Sequence, residues 1–461
     1  MRLQPPLAEL ASQPIPCAAM SSFTRRQFLH GAAQLGVYLQ SGWLVGCGSG
    51  TQGRQPTDPV TGEPLVSNIG HLGPLGEPDR FGVRVPPGFT VRRVAAEGVA
   101  PIPGSDYLWH EKPDGGALFA AEDGGWAYLS NSEKNEDGDG NNAYDQAGVG
   151  ALRFDRDGHL IDAYPVLVGS TKNCAGGATP WGTWLSCEET DSGYVYECFP
   201  FGTAADAVRL DALGKFQHEA CAVDPLADPM HIYMTEDQRN DAFNGGGFYR
   251  FVPSTHVADG SRPDLSSGTL QVARVASGDI FTPRAVTWAN VPFPQPIDLQ
   301  RHESVLNPTR FQVPGIERFD GGEGIWYHHD HSLVFSTKGD NRLWRYDIAA
   351  QTVQAIYDDD SSPDNILSAL DNVIMTPDGD IICCEDGDDT QVVGLTPDGR
   401  QVPMLQLMSN GEPAGPAFSP DGQRLYVSGY SGPSGPADDR NLGATYEIKG
   451  PWFVPASSVG R

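Results

Sequence analysis

The sequence predicts an all-β protein that folds as a β-propeller, with six blades and one long insertion. Glycine and proline are abundant, at 55 and 38 of 461 residues, and this composition favours short strands and tight turns over long helices. Short apolar runs alternate with turns such as Asp398-Gly399 and Asp421-Gly422, which are strong hairpin signals. Two such hairpins fill about 40–45 residues, the usual length of a four-stranded blade.

The chain begins with a segment that resembles a targeting signal. Arg25 and Arg26 form the twin arginines of an export motif, and a modestly apolar stretch extends from there to Val45. The following residues resemble a bacterial lipobox in which Cys47 would carry the lipid; the alternative is an ordinary cysteine near a peptidase site. We therefore expect residues 1–47 to be a signal peptide, and the protein to be periplasmic or otherwise extracytoplasmic, with a lipid anchor at Cys47.

The remaining sequence divides into a tether and one domain. Residues 48–66 are rich in Gly, Pro, Thr and Gln and are expected to form a flexible tether. Residues 67–461 are expected to form a single propeller domain. Within it, residues 254–314 are proline-rich and aperiodic, which predicts an irregular insertion between blades. Two β-sandwiches are the competing architecture, but no central linker supports them.

The charge balance limits the partners of the protein. With 31 Lys and Arg against 59 Asp and Glu, the formal net charge is -28. This charge argues against nucleic acid and anionic membrane surfaces as partners, because binding to phosphate groups needs a basic surface. It suits a protein that binds divalent cations, although simple solubility explains it equally well. We expect a monomer.

Several predicted strands end on adjacent carboxylates. Inner strands of a propeller line its central channel, so acids at their ends should face one another and repel unless cations neutralise them. Carboxylate oxygens suit Ca²⁺, and the Cys174 thiol in its Gly-rich turn adds a ligand that suits iron. The residues expected to converge are Cys174, Glu188, Glu189, Glu219, Glu236, Asp237, Glu323, Asp371, Asn372, Glu385 and Asp386.

Three other segments give weaker signals. The acidic run 135–142 resembles the start of a calcium loop but lacks its final acid, so a solvated loop is expected. The run His328–His331 could bind metal, but a surface hairpin explains it better. Lys338 and Arg342 supply cations in a turn that could meet an anionic substrate; a plain turn is equally consistent.

A series of motifs then suggests a family. In order they are Asn173–Glu189, His218–Ala220, Met234–Asp237 with Phe248–Phe251, Glu323–Tyr327, Asp371-Asn372 with Cys384–Gly387, and Glu412–Gly422. Together with the export motif, they resemble the PhoX-type alkaline phosphatase family. The resemblance implies a six-bladed propeller and an exported phosphomonoesterase that uses a Ca²⁺ and Fe³⁺ cluster in its channel to act on small phosphate esters.

The resemblance also implies roles for individual residues. Cys174 would be an iron ligand, Lys172 would contact phosphate, and Glu323 would belong to the catalytic centre. The other metal-ligand positions would be Glu188, Glu189, Glu219, Glu236, Asp237, Glu385 and Asp386. Asp371, from its place among the converging residues, is a further metal-ligand candidate.

One position departs from the family pattern. Where the family typically has an arginine two residues before the motif glutamate, this chain has Gly321. Arg318 and Arg342 are the nearest arginines, and Arg342 is the catalytic candidate. Two alternatives therefore stay open: a lipid-anchored metal-binding propeller without phosphatase activity, and a calcium-dependent lactonase-like hydrolase.

Overall fold

Short antiparallel strands form nearly all the regular structure in the described part of this chain. The computed structural model describes residues 55–58, 61–135, 147–239, 245–256, 262–361, 365–408, 411–432 and 442–458. The export motif, Cys47 and most of the acidic run 135–142 lie outside this range. No helix within it is long and apolar enough to cross a bilayer. Its helical elements are single 3-10 turns, at Ile69–His71, Ala204–Asp206, Asp211–Leu213, Thr309–Phe311, Asp359–Ser361 and Ala456–Ser458.

The strands are numbered in chain order. The first sixteen are β1 (Leu65–Ser67), β2 (Val83–Arg84), β3 (Thr90–Ala96), β4 (Pro113–Ala120), β5 (Trp126–Ser132), β6 (Gly148–Phe154), β7 (Leu160–Val168), β8 (Asn173–Ala178), β9 (Trp184–Glu188), β10 (Val195–Cys198), β11 (Val208–Arg209), β12 (His218–Asp224), β13 (His231–Glu236), β14 (Phe248–Pro253), β15 (Gly268–Val275) and β16 (Arg284–Asn290). The others are β17 (Ile297–Gln300), β18 (Ser304–Leu306), β19 (Gly322–His328), β20 (Ser332–Thr337), β21 (Arg342–Asp347), β22 (Thr352–Asp358), β23 (Leu370–Met375), β24 (Ile381–Glu385), β25 (Gln391–Leu395), β26 (Gln401–Leu407), β27 (Pro413–Phe418), β28 (Arg424–Gly429), β29 (Ala444–Lys449) and β30 (Phe453–Pro455).

These strands form six successive antiparallel groups in the described part of the chain. Blade 1 contains β4–β7, blade 2 contains β8–β11, and blade 3 contains β12–β16. Blade 4 contains β19–β22, and pairing of β16 with β22 joins it to blade 3 in one sheet. Blade 5 contains β23–β26 with β2 at its edge. Blade 6 contains β27–β29, and β3 from the start of the domain adds its outer strand.

The blades close into a ring. The inner strands β4, β8, β12, β19, β23 and β27 contact one another in that order, and β27 contacts β4. Six apolar clusters fill the spaces between neighbouring blades. Between blades 6 and 1, for example, Trp126 Nε1 donates a hydrogen bond to the Tyr426 hydroxyl at 3.1 Å. The all-β propeller that the sequence predicts is confirmed.

Two regions are more regular than the sequence analysis expects. Residues 254–314 include β15 and β16, which extend blade 3, and the hairpin β17–β18. These strands lie at the outside of the ring, where a strand needs only a weak alternation of apolar and polar residues to pack. Prolines between the strands obscure that pattern in the sequence. In the expected tether, β1 pairs with β30, and Leu65 is buried in the cluster between blades 5 and 6.

Candidate metal-binding active site

Each blade presents two side chains at the same end of the ring. One side chain belongs to the second residue of the blade's inner strand. The other belongs to the residue directly after the end of the blade's next strand. The inner-strand residues, from blade 1 to blade 6, are Asp114, Cys174, Glu219, Glu323, Asp371 and Ala414. The residues after the second strands are Glu133, Glu189, Asp237, Lys338, Asp386 and Tyr430.

A repeated backbone feature accompanies the inner-strand position. The first residue of each inner strand pairs with the last residue of the second strand, as in Asn173 with Glu188 and His218 with Glu236. The register then shifts in all six blades, immediately after these residues or one residue later. Such bulges bend a strand and redirect its side chains. In blade 6, where the inner-strand position is Ala414, the acid is Glu412, held just before the strand at φ 36.

These positions bring seven residues together as three overlapping groups. Cys174, Glu189 and Glu219 form the first, Glu219, Glu323 and Asp371 the second, and Asp371, Asp386 and Glu412 the third. Within each group, one ligand atom from every residue lies within 4.8 Å of the others. We call these seven residues the carboxylate cluster. Five blades contribute to it, so it lies where the ends of the inner strands meet.

The cluster contains buried oxygens that lack hydrogen-bond partners among the described residues. They include Glu219 Oε2 and Glu323 Oε1, and also Oδ1 of the adjacent Asp237. Buried polar atoms in native proteins are almost always paired, so these oxygens are available to a bound water, ion or ligand. Oxygen donors suit hard cations, and Cys174 Sγ, 3.1 Å from Glu219 Oε1, adds a soft donor. The residues present therefore fit calcium and iron.

The electrostatics of the cluster point the same way. Burial, followed by repulsion from Glu323, Glu189 and other acids, raises the pKa of Glu219 well above its usual value. Burial and neighbouring acids likewise raise the pKa of Glu189 to about 8 and that of Glu412 to about 9. Burial also raises the pKa of the Cys174 thiol. Bound cations would favour the ionised forms and reverse these shifts.

The structure separates the paired acids that end the second strands. Glu188 accepts backbone N–H groups of Thr171 and Tyr194, both at 3.0 Å. Glu385 accepts those of Ser368 and Gln391 in the same way.

Glu236 has a comparable role. It accepts hydrogen bonds from Gly247 N–H and the Tyr249 hydroxyl, and it pairs with Arg310 at 2.9 Å. These three first acids of each pair stay within their blades and outside the cluster. The second acid of each pair, Glu189, Asp237 or Asp386, lies in the cluster or beside it. Successive side chains of a strand point in opposite directions, which explains the division.

The remaining candidates lie in different places. Lys172 Nζ is 3.7 Å from Glu133 Oε1, beside the cluster. Asn372 donates to Asp371 Oδ1 at 2.8 Å and so orients a cluster carboxylate. Arg342 instead pairs with Asp358 at 2.9 Å and with Asp340, which holds it in its own hairpin. None of His328–His331 belongs to a ligand group in the described part of the chain.

Sequence reasoning did not name Asp114, Glu133 or Glu412 as site residues, and it considered Lys338 only as a cation that could meet an anionic substrate. Asp114 is 3.8 Å from Cys174 Sγ, Glu133 contacts Lys172, and Glu412 belongs to the cluster. The Lys338 amine lies between Asp371 and Asp386, where it neutralises part of the acidic charge. Aligning the six blades by strand register would have revealed all but Glu412, because they occupy the two repeated positions.

Comparison with solved structures supports the propeller fold. The structure of Pseudomonas fluorescens PhoX in complex with vanadate, a transition state analogue, has 18% sequence identity and a TM-score of 0.61 to this chain, covering 82% of this chain and 97% of that one. A streptogramin B lyase (13% identity, TM-score 0.41, 78% and 98% covered) and a gluconolactonase from Xanthomonas campestris (12%, 0.40, 82% and 98%) are less similar.

The sequence comparisons identify the family. No curated protein matches this chain significantly. A family model described as alkaline phosphatase PhoX matches residues 120–356 and 344–432, which together exceed half of the chain. The resemblance found in the sequence motifs is confirmed: the chain belongs to the PhoX alkaline phosphatase family of phosphoric monoester hydrolases.

Proposed function

We propose that this protein is an exported, metal-dependent phosphomonoesterase that acts at the carboxylate cluster with calcium and iron. The observation that carries the proposal is the set of unpaired buried oxygens on Glu219 and Glu323, next to the Cys174 thiol. The carboxylate cluster that contains them, contributed by five blades, is costly without cations and favourable with them. Family membership and the vanadate bound by Pseudomonas fluorescens PhoX support a phosphate ester as the substrate.

The cluster residues differ in the metal that their ligand atoms prefer. Cys174, Glu189 and Glu219 form the sulfur-containing group and would hold iron, whereas the all-oxygen groups would hold calcium. When bound, these cations would coordinate the phosphate oxygens and stabilise the negative charge that develops on those oxygens. Lys338 keeps Asp371 and Asp386 in place, and Lys172 provides a positive charge near Glu133.

Metal analysis combined with a phosphatase assay tests the proposal. The holoprotein, purified from its own exporting cell, should contain calcium and iron and should hydrolyse a generic phosphomonoester. Chelation should abolish the activity, and returning both metals should restore it. A chelation-sensitive protein that contains the metals but leaves the phosphomonoester intact would instead support a metal-binding propeller without phosphatase activity.

We also propose that the twin-arginine segment directs export of the folded protein and that Cys47 anchors it to the membrane. The motif at Arg25-Arg26 and the lipobox-like residues before Cys47 support this. Replacing both arginines by lysine should retain the protein in the cytoplasm. Cys47→Ala should release the exported protein into the soluble periplasmic fraction, and an unchanged distribution would refute the anchor.

A further inference from the structure

The loop before the inner strand of blade 4 passes over the side chain of Arg239. Gly321 has a left-handed backbone with φ +69, and a Cβ there would lie 2.4 Å from Arg239 Cγ and 2.7 Å from its Cδ. The backbone is held in place, because the Gly321 N–H donates to the Gln238 carbonyl at 3.2 Å and its carbonyl accepts the Lys338 N–H at 2.9 Å. Gly321 therefore provides the space that Arg239 occupies.

This packing brings the Arg239 guanidinium to the edge of the carboxylate cluster. Its Nη2 lies 3.2 Å from Asp237 Oδ2, and its side chain is 45% exposed. Among the described residues, the Arg239 guanidinium donates its hydrogen bond to Asp237. Burial raises the pKa of Glu323 far above its usual value, and the positive charges of Lys338 and Arg239 act against this rise. The guanidinium thus combines proximity to the cluster with access to solvent.

Lys338, Arg318 and Arg342 are less available to a ligand than Arg239. The Lys338 side chain is 10% exposed and is held by two aspartates. Arg318 donates to the carbonyls of Gly245 and Arg310, at 3.3 and 2.9 Å. Arg342 is engaged by two aspartates in its hairpin. Arg239 is therefore better placed than either arginine that the sequence suggested.

We propose that Arg239 binds the phosphate group of the substrate at the mouth of the carboxylate cluster, and that Gly321 is needed to make room for it. The proposal rests on the phosphatase function proposed above. A planar guanidinium offers several N–H donors in a fork that matches two phosphate oxygens. Asp237 would hold one edge of this fork and leave the others for the ligand.

The test uses metal-loaded holoprotein and two readouts: KM and kcat for a generic phosphomonoester, and the rise in unfolding temperature produced by inorganic phosphate. Arg239→Ala should raise KM about tenfold to hundredfold, the effect of losing charged hydrogen bonds, and should largely remove the stabilisation by phosphate. Arg239→Lys should give intermediate values for both. Arg345→Ala, which removes an exposed arginine paired with Asp330, is the matched control and should change neither.

A double substitution tests the role of Gly321. Gly321→Ala should weaken phosphate binding by displacing Arg239, but in the Arg239→Ala background it should cause no further loss, because the displaced side chain is absent. Additive losses would overturn this role. Unchanged KM and phosphate stabilisation in Arg239→Ala would overturn the assignment of Arg239 while leaving the phosphatase function intact. A wild-type holoprotein that neither hydrolyses phosphomonoesters nor is stabilised by phosphate would refute both the phosphatase function and the assignment of Arg239.

Discussion

Replacing Glu189 by glutamine should stabilise the metal-free protein and destabilise the metal-loaded one. Burial, together with the carboxylates of Glu133 and Asp237, raises the pKa of Glu189 from 4.5 to about 8 in the absence of metal. Folding at pH 7 then requires this carboxyl to take up a proton. The cost is up to about 3 kcal/mol, because each pH unit between 4.5 and 7 contributes roughly 1.4 kcal/mol. Glutamine removes this cost and can still accept the hydrogen bond that Gln217 donates at 3.0 Å.

The effect should depend on pH with a definite sign. Because the folded pKa of Glu189 is raised, its contribution to stability is fully present below pH 4.5 and is lost as the pH rises through about 8. The metal-free wild type should therefore lose stability between about pH 5 and 8. The variant should lose less over the same range. In the loaded protein glutamine weakens a ligand, so stabilisation by bound metal decreases.

Thermal unfolding of chelated and metal-loaded protein at pH 5, 7 and 8 measures this effect. The adjacent Glu188 provides the matched control, because both of its oxygens accept backbone N–H groups and neither lies in the cluster. Glu188→Gln replaces one acceptor by a donor and should destabilise both forms by about 1–3 kcal/mol. If Glu189→Gln destabilised the chelated protein to the same degree, the cost of burying the Glu189 carboxyl among other acids would not be the dominant effect.

Three further predictions concern the proposed iron ligand Cys174, the cation Lys338 beside the cluster, and the close packing of neighbouring blades at Gly177. Cys174→Ser should remove iron while leaving calcium and the circular dichroism spectrum unchanged; retained iron would show that Cys174 is not a ligand. Lys338→Gln should lower the unfolding free energy of chelated protein by roughly 1–3 kcal/mol, since it removes the positive charge next to Asp371 and the partly exposed Asp386, and by less when metals are bound. Gly177→Ala should strongly lower the unfolding temperature, because its Cβ would lie 1.8 Å from the Cys221 carbonyl oxygen, whereas Gly73→Ala, with its nearest atom at 3.9 Å, should not.

Much of the site could be predicted from local sequence. Cys174, Glu189, Glu219, Glu323, Asp371 and Asp386 were all expected to converge, and the structure brings them into one cluster. Strands that end in acids carry this information, because a propeller directs the inner ends of its blades to a common axis. Asp114 was missed although it occupies the same second position of its inner strand as Glu219 and Glu323, because it precedes all the motifs of the domain that carried the resemblance.

The choice between neighbouring acids could not be made from sequence. Glu188 and Glu189 are chemically equivalent in the chain, as are Glu385 and Asp386, yet one member of each pair binds its own backbone and the other faces the cluster. The direction depends on the register between the first two strands of each blade and on the bulge that follows. A shift by one residue would exchange the two roles.

The sequence by itself determined most of the inner strands, the turns between them, the acidic strand ends and the family, because these follow from residue types at short spacing. Tertiary structure alone decided which blades meet, which oxygens are buried without partners, and that Arg239 occupies the space above Gly321. Those features join residues that are distant in the chain, and their geometry depends on closure of the whole ring.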